Sequence, residues 1–194
     1  MFCTIIKDVE KMSMHYEELD GKTREYMLTE FETEQKNNPY LSKALSKKGL
    51  EVFPELMRKA IKNGNETTLF QSLDNHDYWL PTELYTRVGI TRERRRNISQ
   101  SAQRLALTEF NTWYVRGFSK RLMDEGEKDC QIYRGEIPKW EPGECEKHEG
   151  RIIPVKEIYN SHRARYWPEP GDLTIFSIPW GPGCHHVIRR VNTD

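Results

Sequence analysis

The segment from Ile98 to Asp124 constrains this chain more than any other. Ala102, Leu105, Ala106, Phe110, Trp113, Tyr114, Gly117, Phe118 and Leu122 recur every three or four residues, the spacing of one helix face. At 1.5 Å per residue such a helix is about 40 Å long. It reads as a long amphipathic helix. Gly126 ends it. With 194 residues in all, the chain has room for one core and a small appended module.

Two further helices are legible upstream. Leu19, Thr23, Tyr26, Met27, Glu30 and Phe31 predict a helix over 19–35, with Asp20 as its cap and Asn37-Asn38-Pro39 as its end. Leu50, Phe53, Leu56, Met57, Ala60 and Ile61 predict another over 47–63, with Ser46 as cap and Gly64 beyond the end. Pro54 is tolerable in it only near the first turns. Asn65 can cap a short third segment carrying Leu69, Phe70 and Leu73. Residues 1–14 show little period and read as an N-terminal arm. The Pro-interrupted run Tyr78-Trp79-Leu80-Pro81 marks a boundary between a helical module, 1–80, and a second module, 81–194.

After the long helix the chain changes character. Cys130 to Arg134 alternates as a short strand does, and the remainder is rich in glycine and proline, with brief ordered runs at 152–153, 154–159 and 187–191. The expected fold class is α+β: helices, then a small irregular β-containing module that needs a staple. Aromatic residues at 11% exclude a fully disordered chain. No stretch approaches the roughly 20 apolar residues of a membrane helix, and Met1–Ile6 is too short for a signal-peptide core, which leads us to expect a soluble cytoplasmic protein with no membrane partner.

Thirty basic and thirty acidic residues cancel overall, which argues against a protein that coats nucleic acid. Residues 81–126 nevertheless carry 9 basic against 5 acidic side chains. Arg92, Arg94, Arg95 and Arg96 precede the long helix, at its positive end, and are candidate contacts to phosphate, with non-specific DNA as the ligand. The alternative is a merely solvated charged face. His162-Arg163-Ala164-Arg165-Tyr166-Trp167 could bind an anion, but an exposed loop pinned by its aromatic residues is the simpler account.

The candidate staple is a zinc ion. Cys145 and His148 are two residues apart in between, a spacing that lets one turn aim both at a metal. Cys184 and His186 are separated by one residue and point to the same side of an extended strand, whereas His185 points away. Cys145, His148, Cys184 and His186 would make a closed, tetrahedral, structural site. The competing reading makes them ordinary loop residues with buried thiols. A catalytic zinc would need an open position and an acid or base, for which Glu149 and His185 are available.

The order of these features resembles the phage head-morphogenesis, or minor head protein, family over roughly residues 98–191. Three elements carry the resemblance: Arg104-Leu105-Ala106-Leu107-Thr108-Glu109 on the helix, Cys145-Glu146-Lys147-His148-Glu149-Gly150, and Pro182-Gly183-Cys184-His185-His186-Val187-Ile188. Two cysteines of the family pattern are histidines here. The resemblance implies a non-enzymatic assembly protein, in the cytoplasm or the virion, whose partners are portal or capsid-like subunits near packaged DNA. The alternative is a zinc-dependent hydrolase or nuclease acting on nucleic acid. Tyr133-Arg134-Gly135 is similar to the first motif of ADP-ribosyltransferases, but no Glu-x-Glu follows in the expected place.

Overall fold

Among the described residues, each of the first three helices starts at a side chain that accepts from one of its free N–H groups. The computed structural model describes residues 14–136 and 147–191. In α1 (Gly21–Asn37) Asp20 accepts from the Thr23 N–H, and in α2 (Lys47–Asn63) Ser46 accepts from that of Gly49. In α3 (Glu66–Leu73) Asn65 and Thr68 cap one another reciprocally. Pro54 lies well inside α2, deeper than its sequence position was expected to tolerate.

All of this is arranged around α4 (Ile98–Asp124), capped by Asn97. The helix is amphipathic toward its ends, but from Glu109 to Val115 every residue is buried. The reason is that α1 and α3 cover one side while α5 (Val155–Asn160) and a sheet cover another. Where α1 crosses α4 the backbones nearly touch: a Cβ on Gly117 would sit 2.5 Å from the backbone nitrogen of Met27. Phe31 meets Trp113 edge to face beside that crossing, with ring centroids 5.2 Å apart.

After α4, β3 (Asp129–Arg134) runs between β4 (Ile152–Pro154) and β5 (His186–Arg190), antiparallel to both. Cys130 pairs with Ile153 and Arg190, Ile132 with Ile188, and Arg134 with His186. Two polar groups of α4 tie β5 down: the Asn111 amide donates to the His186 carbonyl at 2.9 Å, and the Tyr114 hydroxyl to that of Ile188 at 3.4 Å. One core draws on residues from both sides of residue 80, including Phe31, Met57, Leu69, Trp113, Phe118 and Ile188. The expected arm lies outside the described residues as far as residue 13, while Met14 is buried and donates its N–H to Glu66.

One element was not expected. β1 (Thr82–Arg87) and β2 (Ile90–Arg95) form an antiparallel hairpin closed by Val88 and Gly89, at φ 51° and 73°. Positive φ at both loop residues is the geometry that matches the twist of paired strands. Arg92, Arg94 and Arg95 therefore stand on a strand and not at the start of the long helix. Among the described residues no helix is long and apolar enough to cross a membrane.

Candidate functional site: arginine hairpin, buried ion network and cleft

The expected zinc centre is not assembled among the described residues, where no group of three or more His, Cys, Asp or Glu side chains could hold a metal ion. Cys145 lies outside those residues. Cys184 and His186 do come together, with Sγ 3.8 Å from Nδ1, and His185 turns instead to Glu136 at 3.3 Å. The other expected ligand is engaged elsewhere: Arg151 donates to His148 Nδ1 at 2.8 Å, and the His148 ring packs on Phe176 and Trp180. The charge balance also disfavours a cation. Glu149, 3.7 Å from His186 Nε2, is held by the Arg134 guanidinium at 2.8 Å. Burial and then the charge of Arg134 push the His186 imidazole below its usual range. The zinc and metal-binding reading is corrected to what the described residues show, which is no assembled metal-binding group.

The four candidate arginines divide by environment. Arg94 stacks over the Tyr85 ring and pairs with Glu83 at 2.7 Å. Arg96 is the root of the hairpin: it donates to the carbonyls of Leu80 and Thr82 and to Glu83. Arg92 and Arg95, with Arg87 beside them, are exposed and have no acidic partner among the described residues. Strand pairing puts Tyr85, Arg87, Ile90, Arg92 and Arg94 on one face. Leu84, Val88 and Ile90 are exposed too, Val88 at 92%.

A network of buried ions escaped the sequence reading. Arg163, expected in an exposed loop, is buried and forms a bidentate pair with Glu109 of α4, at 2.7 and 2.9 Å. Its Nε reaches Glu34 of α1 at 3.0 Å, and His162 Nε2 reaches the same oxygen at 2.9 Å. The guanidinium also lies over the Tyr40 and Trp113 rings. Burial pushes the His162 imidazole down to about 4, so it is neutral and donates its Nε2–H to Glu34. Burial alone would raise the Glu34 carboxyl, but the His162 hydrogen bond and the Arg163 charge hold it below its ordinary value. One sequence feature pointed to this: Glu109 sits in the buried stripe of α4, and a carboxylate there needs a cationic partner.

Beside this network opens a cleft of about 310 Å³. Ser101, Arg104, Leu105 and Thr108 form one wall, at helical spacing on α4, and Tyr40, Trp79 and Tyr166 face them from three other segments. Glu83 and Arg96 at the hairpin root also line it, as does Glu109. No protein-family model matches the chain, and comparison with curated proteins and with solved structures finds no match either.

Proposed function

We propose that this chain is a non-enzymatic assembly or interaction protein, as its resemblance to head-morphogenesis proteins implies, and that it grips its partner with the β1–β2 hairpin. The observation that carries this reading is that most of the hairpin is exposed among the described residues. A two-stranded ribbon is marginal in water on its own, and exposed strand edges invite pairing with another chain. Here the ribbon also displays Leu84, Val88 and Ile90 beside Arg87, Arg92 and Arg95, which no acid answers among the described residues. Residues 82–96 carry five arginines against Glu83 and Glu93, so the complementary surface is acidic with apolar positions. A portal or capsid-like subunit presenting such a surface is the partner we assign.

The test is co-purification of the chain with portal or capsid-like subunits co-expressed with it. Replacing residues 82–95 with a short Gly-Ser turn should abolish the complex and leave the fold of the body intact. A complex that survives this replacement would overturn the hairpin reading. Retention on DNA instead of on the subunits would transfer the arginines to phosphate.

A further inference from the structure

The cleft beside the buried network has a charge balance of its own. Its two carboxylates are already answered: Glu109 is held by Arg163, and Glu83 by Arg94 and Arg96. Arg104 is exposed, lines the cleft, and has no acidic partner among the described residues. With Glu34, which shares Arg163, the described residues set the guanidiniums of Arg94, Arg96, Arg104 and Arg163 against the carboxylates of Glu34, Glu83 and Glu109, so one cation is left over. One turn along α4, the Thr108 hydroxyl is buried with no hydrogen-bond partner among the described residues, although helical threonines readily bond the preceding turn. Around both lie Leu105, Trp79, Tyr40 and Tyr166, a wall of apolar and aromatic carbon.

We propose that this cleft binds an aromatic monocarboxylate, its ring against Trp79, Leu105 and Tyr166 and its carboxylate on Arg104. The volume is at the low end of ligand sites and accommodates one group the size of a single large side chain. One uncompensated guanidinium calls for a monoanion, and its planar fork matches a carboxylate. The Thr108 hydroxyl, one turn along α4 from Arg104, supplies a second donor to the carboxylate. The same chemistry is offered by a free aromatic acid and by the C-terminus of a polypeptide ending in an aromatic residue. The inference uses the hairpin root as part of the cleft lining and does not depend on the hairpin's role in docking.

Calorimetry with three probes on the full chain tests it: N-acetylphenylalanine, its amide, and the peptide Gly-Gly-Gly-Phe with a free C-terminus. At least one of the two acids should bind, and the amide should bind at least about tenfold more weakly, because it lacks the charge-assisted pair with Arg104. Tighter binding of the peptide marks a chain terminus as the natural ligand, and tighter binding of the acetylated residue marks a free acid. Arg104→Gln changes an exposed residue, so the fold should hold, and it should weaken the acids by a similar factor while leaving the amide unchanged. Leu105→Trp should fill the cleft and remove binding, and Ser101→Leu does the same from the neighbouring turn if the first variant fails to fold. Equal binding of acid and amide, indifference to Arg104→Gln, or no binding of either acid at 10 mM would each overturn the proposal.

Discussion

Arginine does opposite things in two parts of this molecule. Arg163 is buried among Glu109, Glu34, Tyr40 and Trp113, whereas Arg87, Arg92 and Arg95 stand exposed with no ion pair among the described residues. The side chain is the same, and its surroundings decide its role. Taking a guanidinium out of water is costly unless its donors are matched, so a buried one holds segments together. An exposed one costs little to leave unpaired and remains available to a partner.

The sharpest way to break this contrast is Arg163→Ala. It leaves the carboxylates of Glu109 and Glu34 in the interior without their cation, and the loss should be about 3–5 kcal/mol of unfolding free energy. Urea titration measures it. A loss below about 1 kcal/mol would mean that water reaches the network and that the two arginine environments are not distinct.

Acid should attack the same network. The folded His162 imidazole titrates at about 4 and the unfolded one near 6.5, so between these values the unfolded chain binds more protons. Stability falls as pH drops from 6.5 toward 4, by about 3 kcal/mol if the whole shift is expressed. Glu34, whose carboxyl is held low, adds to the loss at the acid end. His162→Gln keeps an amide N–H for Glu34 and should flatten the slope between pH 6.5 and 4.5, measured by denaturant midpoints. An unchanged slope would place the titration elsewhere.

Gly117→Ala probes packing without charge. The added Cβ would lie 2.5 Å from the Met27 nitrogen and 2.6 Å from its Cα, backbone atoms of α1 that can yield only if the helix moves. About 1–3 kcal/mol should be lost, read as a lower midpoint with the hairpin unaffected.

How much of this was legible in the sequence depended on whether a residue's neighbours are local. The helices over 47–63 and 98–124 were readable because their period and caps lie within them. The hairpin was not, since Val88-Gly89 lacks the Asn-Gly or Asp-Gly signature and its strands carry no buried alternating face. Arg163 looked like part of a surface loop because its partners, Glu34 and Glu109, are 129 and 54 residues away. The zinc reading joined residues by spacing alone, and the fold engages His148 with Arg151, Phe176 and Trp180.

The smallest effect on stability belongs to the exposed side of the comparison. Replacing Arg87, Arg92 and Arg95 together by Ala removes three charges that no described acid answers, so the unfolding midpoint should move by no more than about 0.5 kcal/mol. Removing self-repulsion on a narrow ribbon could even raise it slightly. The same variant should bind its acidic partner much more weakly, mostly through a slower association rate, and the loss should shrink as salt is raised. Stability and binding are thus expected to separate here, whereas at Arg163 they fall together because the fold itself is lost. A triple variant that unfolds easily would show that these arginines have structural partners. One that binds normally would move the docking surface off the hairpin face and onto the apolar positions Leu84 and Val88.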